Sequence, residues 1–391
     1  MEFLKMAKEV EDLIVDFRRD LHENPELGFE LYRTQEQIKK FLDEEGIEYK
    51  ETAKTGICAI IRGNGEKTIA VRGDMDALPI MEKGSCSYKS KIEGKMHACG
   101  HDAHTAMVIG TIKVLNSIKD KLKGNVKFFF EPAEETTGGA QVMIEEGVME
   151  NPRVDAIVGL HVEEWLPCGK IGLKRGVVNA ASNPFKIKII GSGGHGAAPH
   201  STIDPVVIAA NVICGLQSIV SRELPPTDAG VITVGSIHGG TAQNIIPGEV
   251  ELQGIIRTVR TEHREYVKKR LVEVTEGIVT SMRGKCEILI EESYPCLYND
   301  DTMLNLLESS AEEIIGKDNI VNLDNPSMGV ESFAYFAMEK PSVFYKLGCG
   351  NEGKGITKAA HSNLFDIDEE CLILGTAIHC NAVWHFLNDE K

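Results

Sequence analysis

The stretch "MHACGHDAHTAM" (96–107) gathers three histidines, a cysteine and an aspartate with almost nothing bulky between them. Cys99 and His101 flank one glycine, whose backbone freedom lets both side chains face a single point. Thiolate sulfur and imidazole nitrogen so placed suit a divalent cation. They also suit a thiol nucleophile with His101 or His104 as its base, or a hydrogen-bonded turn. "EPAEETTGGA" adds Glu134 and Glu135 directly after a dense apolar run. Adjacent carboxylates in a partly buried place repel unless a cation or a shared proton relieves them, although a solvated helix start also favours acids. In the metal reading one Glu binds a cation and its neighbour acts as general base toward water. His161 in "GLHVEEW" and His361 in "AAHSNLF" complete the set. Cys99, His101, Glu135, His161 and His361 are too many for one open catalytic zinc and suit two cations sharing a ligand. Asp74, Asp76, Asp102 and His104 then orient those ligands from behind.

These residues need elements to hold them. Val10, Leu13, Ile14, Phe17 and Leu21 mark one face of an N-terminal helix. Thr34 with Gln37 reads as a capping box, and Gly46 as the stop, for a helix over 35–45. "GICAII" and "TIAVRG", joined through Asn64-Gly65, read as paired strands. A helix is expected from His104 to Ile118, and strands at "VKFFF" (126–130) and "AIVGL" (156–160). Asp74 and Asp76, Glu134 and Glu135, and His161 all follow strands, where open α/β sheets form their sites. From Asn183 the pattern changes to strand, helix (204–221), two strands, helix (262–282) and strand, the split ferredoxin-like order. After Pro295 helices and the strand "SVFYKLG" return, ending in a helix near 368–387. The expected fold is therefore α/β: a catalytic domain with a central, mostly parallel sheet flanked by helices, interrupted by an inserted ferredoxin-like α+β domain. Its parts are 1–182, 183–294 (inserted) and 295–391.

The chain has 391 residues, 42% of them hydrophobic and 26% charged, as in ordinary globular proteins. A formal net charge of −17 argues against a nucleic-acid binder, which needs a basic face. The N-terminus alternates charge with apolar residues, unlike a signal peptide, and no stretch approaches ~18 uninterrupted apolar residues. A soluble cytoplasmic protein that meets no membrane is the expectation. Ten cysteines without repeated short spacings suggest reduced, buried packing residues at Cys58, Cys86, Cys168, Cys214, Cys286, Cys296, Cys349, Cys371 and Cys380.

"RGDMDALP", "MHACGHDAHTAM", "EPAEE", "GLHV", "GGHGAAPH" and "AHSNLFDIDEE" together resemble the amidohydrolase branch of the metallopeptidase family that includes carboxypeptidase G. Hippurate hydrolase, N-acyl-amino-acid amidohydrolases, N-acetyl-diaminopimelate deacetylase and auxin-conjugate hydrolases belong to that branch. The resemblance spans nearly the whole chain. It implies two divalent cations, zinc or manganese first and cobalt or nickel next, held by Cys99, His101, Glu135, His161 and His361. It also implies Glu134 as general base and Asp76 as a buttress, with Asp74 not a ligand. The inserted domain resembles a lid and dimerisation domain, which implies a homodimer. Within it His195 would hold the developing oxyanion, and Asn244 and Arg257 would contact substrate; His200 stays ambiguous. The implied activity is hydrolysis of N-acyl amino acids, small molecules, to a carboxylic acid and a free amino acid. A carboxypeptidase or dipeptidase is the nearest alternative, and a metal-holding binding protein the alternative of another class. One departure motivates the latter: the branch carries Ser-Glu-Asp-Phe where this chain has "VESF" (330–333), so Ser332 stands at the usual aspartate while Glu331 remains.

Overall fold

The run "NVKFFFE" (125–131) is buried along its whole length, and each fully buried phenylalanine there contributes about 1.5–3 kcal/mol relative to exposure. In the computed structural model, which describes residues 1–388, this run is an inner strand of an eight-stranded sheet. The strand order is Glu48–Thr52, Gly56–Ile61, Asn125–Glu131, Thr68–Asp74, Ala156–Pro167, Ser342–Gly350, Ile171–Leu173, Ile320–Asn322. The four middle strands are mutually parallel, and they are the continuous apolar runs expected of strands covered on both faces. Antiparallel pairings flank them on both sides, so the sheet is mixed with a parallel centre. The helices Glu11–Glu23, His101–Asn116 and Glu370–Asn388 pack together and share one core with the sheet. Gly110 permits this approach, because a Cβ there would lie 2.5 Å from Ile14 Cδ1 and 2.9 Å from Thr376 Oγ1.

Several local expectations are corrected. "GICAII" and "TIAVRG" do not pair; Asn125–Glu131 lies between them, and the hairpin partner of Gly56–Ile61 is Glu48–Thr52. That polar edge strand, "EYKET", carries no apolar alternation to reveal it. The N-terminal helix is two, Phe3–Glu9 and Glu11–Glu23. Thr34 lies inside the helix Tyr32–Glu44 and caps nothing, whereas Gly46 does end it, at φ 64°. His161 does not close its strand, which runs on to Pro167. Of the cysteines expected to be buried, Cys349, Cys371 and Cys380 are, five are half-buried, and Cys214 is exposed; all ten are free thiols.

Contacts divide the chain into two compact units: residues 1–178, 298–325 and 332–391, and residues 179–297 with 326–331. The second unit is a four-stranded antiparallel sheet ordered Gly230–His238, Glu249–Thr258, Ala181–Ile190, Lys285–Ile290. Two helices, Pro205–Ser218 and Thr261–Ser281, pack with it around their own core. Asp204 caps the first of these through Val206 N–H at 2.9 Å, with proline at the first helical position. Together with the turn after it, this helix (Pro205–Glu223) is long and apolar enough to cross a membrane by length and composition, yet Ile208, Ala209, Val212 and Leu216 bury themselves in the core of the unit.

Candidate metal centre

The strand Thr68–Asp74 ends on a buried carboxylate, and "DMD" carries the chain on to Asp76, also buried. Asp76 accepts the backbone N–H groups of Glu134 and Glu135 at 2.8 and 3.1 Å. It thereby fixes the turn that follows the Asn125–Glu131 strand. Ala133 just before it holds φ 60°, a conformation that costs a non-glycine residue energy and recurs at functional sites. Gly100 starts the helix His101–Asn116 at φ 85°, and a Cβ there would stand 2.3 Å from Val162 Cγ2. Only glycine lets Cys99 and His101 meet the neighbouring strand. From far along the chain, His361 at φ 65° is pinned by its N–H to the Ala98 carbonyl at 2.7 Å.

The five candidate ligands come together. Cys99, His101 and His161 offer atoms within 4.8 Å of one another, and so do Cys99, Glu135 and His361, and His101, Glu134 and Glu135. Cys99 Sγ is 3.3 Å from His161 Nε2, and His361 Nε2 is 3.3 Å from Glu135 Oε1. His101 Nε2 lies 4.0 Å from Glu134 Oε2 and 3.9 Å from Glu135 Oε1, and its Nδ1 is 3.5 Å from Asp76. Both ring nitrogens of His101 and Glu135 Oε1 are buried without a hydrogen bond. Buried polar atoms ordinarily find partners, and carboxylate oxygens at 3.5–4.0 Å are too far to bond an imidazole directly. The donors thus converge on a point that a cation would satisfy, and their sulfur, nitrogen and oxygen chemistry fits one.

Electrostatics agree. Burial opposes a charge on His101, but Asp74, Asp76 and Cys99 around it hold its pKa well above the usual histidine range. Burial pushes His161 down to about 3. Its Nδ1 donates to the Val162 carbonyl at 2.6 Å, leaving Nε2 as a lone pair toward Cys99, the arrangement of a metal-binding histidine. Burial resists the charge on Glu135 as well, yet His361 and His101 keep its pKa below the ordinary value. Burial raises the Cys99 thiol well above its usual pKa, opposite to what a cysteine nucleophile needs.

The supporting residues divide. His104 donates from Nδ1 to Asp74 at 2.6 Å and accepts the Val162 N–H at Nε2, 2.9 Å. Both of its nitrogens are engaged in this structure. Asp74 spends its other oxygen on Arg72 at 2.5 Å. Asp102 pairs with Arg18 at 2.8 Å and His22 at 2.7 Å, bracing the start of its helix. Sequence reasoning missed Arg72 and Glu131, which bond at 2.7 Å with no exposure. Two charged residues inside otherwise apolar strands were the available signal. Ser332 joins them: its hydroxyl accepts from Arg72 at 2.8 Å and donates to Glu131 at 2.6 Å. Its N–H donates to Glu134 Oε1 at 3.2 Å. Ser332 therefore stands where two carboxylates already serve one guanidinium.

In the second unit His195 lies exposed on a two-residue strand paired with Ile245. Its Nδ1 accepts the Ala197 N–H at 3.0 Å, which makes Nε2 the ring's donor. Asn244 lies alongside, its carbonyl accepting the Gly196 N–H at 2.8 Å. Arg257, on the strand Glu249–Thr258, is half-buried with Nη1 unbonded, and burial alone lowers its pKa. His200 is exposed nearby in sequence.

Residues 70–385 match the family described as Peptidase family M20/M25/M40. The chain belongs to that family. It is 38% identical to an IAA-amino acid hydrolase, ILR1-like 4, of Arabidopsis thaliana over all of this chain and 90% of the relative. It is also 38% identical to an N-acetylcysteine deacetylase of Bacillus subtilis over 93% of this chain and 94% of that one. A crystal structure described as a dinuclear metal-binding peptidase from the M20 family, from Bacillus subtilis, superposes with a TM-score of 0.84 at 35% identity, covering 97% of this chain and 99% of the other. The M20/M25/M40 membership accounts for the mixed sheet, the second α+β unit and the clustering of metal-competent side chains.

Proposed function

We propose that this chain hydrolyses the amide bond of N-acyl amino acids with two divalent cations, releasing a carboxylic acid and a free amino acid. The observation that carries this is the convergence of Cys99, His101, Glu135, His161 and His361, with His101 and Glu135 holding buried atoms that lack any hydrogen bond. Cys99 belongs to two of the three-residue groups, and with His101, Glu135, His161 and His361 it would hold the two ions. Sulfur, nitrogen and oxygen donors suit zinc first, with manganese, cobalt and nickel following. Such a pair supplies Lewis-acid polarisation of the carbonyl and lowers the pKa of the attacking water.

The protein groups do the rest. Glu134 has Oε1 held by the Ser332 N–H; it takes the proton of the attacking water on Oε2 and returns it to the departing amino nitrogen. Asp76 positions Glu134 by holding its backbone N–H. His195 donates from Nε2 to the developing oxyanion. Asn244 contacts the substrate, and Arg257, charged and without a carboxylate partner, receives the free carboxylate of the amino acid. The second unit is assigned as lid and as the interface of a homodimer.

Amino-acid release from a panel of N-acetyl, N-benzoyl and dipeptide substrates, before and after chelation and metal add-back, tests this reading. Hydrolysis of the N-acyl compounds should vanish with chelator and return with a cation. Turnover indifferent to chelation would overturn it, and a preference for dipeptides would replace it by the peptidase alternative.

A further inference from the structure

A second set of metal-competent atoms lies in the first unit, apart from the five ligands above. His22 Nε2, Glu82 Oε1 and Cys86 Sγ are within 4.8 Å of one another. Glu82 Oε1 stands 3.5 Å from His22 Nε2 and 3.6 Å from Cys86 Sγ. His22 is 1% exposed and its Nε2 has no hydrogen bond, since 3.5 Å is beyond the range of an N–H···O bond. Around a tetrahedral zinc, bond lengths of about 2.0–2.1 Å to nitrogen or oxygen and about 2.3 Å to sulfur put N···O near ~3.4 Å and S···O near ~3.6 Å. The two observed edges are of that size.

The surroundings fit the same ion. His22 Nδ1 lies 2.7 Å from Asp102 Oδ2, the carboxylate partner that a metal-binding imidazole uses on its other nitrogen. Glu82 is aimed by the Ser90 N–H, which donates to its second oxygen at 2.7 Å. The ring of Tyr88 meets His22 edge-on at 5.6 Å. Tyr88 also lines a neighbouring cavity of about 490 Å³ walled by Asp12, Asp16, Asp366, Asp368 and Glu369, with two cations, Arg19 and Lys354. A cleft dominated by one sign of charge concentrates counter-ions.

We propose that His22, Glu82 and Cys86 form a further cation site, for a thiophilic divalent ion such as zinc. Binding displaces the Cys86 thiol proton to solvent and leaves a fourth position for water. The ion ties the irregular segment 79–95 to the helix Glu11–Glu23. Through His22 and Asp102 it also braces the helix that begins at His101.

The test counts zinc per chain in full-length protein loaded with zinc and freed of loosely held metal, beside Cys86→Ala and Glu82→Gln. Each variant should hold one zinc fewer than the parent. In the parent, zinc should slow iodoacetamide labelling of Cys86, read by peptide mass, and Glu82→Gln should restore it. Equal zinc counts in all three proteins, or labelling of Cys86 unmoved by zinc, would overturn the proposal. Cys99→Ala separates the two sites: it alters zinc held by the five-ligand cluster and should leave the protection of Cys86 intact.

Discussion

The two units hold their candidate groups in opposite ways. In the first, Asp74, Asp76, His101 and His104 are essentially without solvent, and each side-chain polar atom is bonded to a named partner except the two His101 nitrogens, which lie 3.5–4.0 Å from carboxylate oxygens. In the second, His195 and Asn244 stand in solvent and Arg257 half in it, with few bonds to fix them. Burying unpaired polar groups costs free energy, so the first arrangement persists because the surrounding fold imposes it. The second costs the fold little, because its groups keep their contact with water.

That contrast can be broken by mutation. Glu134→Gln keeps the shape and removes the proposed base, so turnover should fall by about 10²–10⁴-fold while metal content, measured on the same sample, stays unchanged. Activity near the parental level would show that the first unit's carboxylate is structural. Arg257→Met should act on binding, raising KM about 10–100-fold, the loss of a charged hydrogen bond of about 1.5–3 kcal/mol, with kcat little moved. Steady-state kinetics on one N-acyl amino acid separates the two, and a fall in kcat alone would place Arg257 with the reacting groups. The smallest effect is on stability. Burial pushes His379 down to about 3 from 6.5, and both its ring nitrogens lack hydrogen bonds. The folded chain keeps this ring neutral where the unfolded chain takes up a proton. Its contribution to stability is therefore whole above pH 6.5 and is lost by about 1.4 kcal/mol per unit as pH falls toward 3. His379→Leu should flatten that slope in denaturant melts at pH 5, and an unchanged slope would show that His379 is already charged.

Much of the first unit was legible because its chemistry is dense in sequence. Cys99 and His101 share one turn, Glu134 and Glu135 are adjacent, and the parallel strands are plain apolar runs. The α/β class and the family resemblance follow from those features, and the family match agrees. What escaped was non-local. No pattern in "GICAII" says that Asn125–Glu131 will separate it from "TIAVRG", because strand order is decided by pairing between distant segments. The roles of Arg72, Glu131 and Ser332 depend on a contact spanning some 200 positions. His104 was expected behind the ligands, but its partners, Asp74 and the Val162 N–H, are ones that no spacing reveals.

The strand Ser342–Gly350 lies against the inner strand Ala156–Pro167 along most of its length. During synthesis the ribosome completes Ala156–Pro167 long before it makes that neighbour, with the entire second unit still to come. For that interval the growing chain displays an apolar β-edge with open N–H and C=O groups, a template for unwanted pairing. His361 emerges later still, so the cluster of candidate ligands stays incomplete until the last tenth of the chain is being made. Chaperone cover of the nascent first unit, detectable by stalling translation near residue 300, is the expected cost of closing this sheet from its C-terminal side.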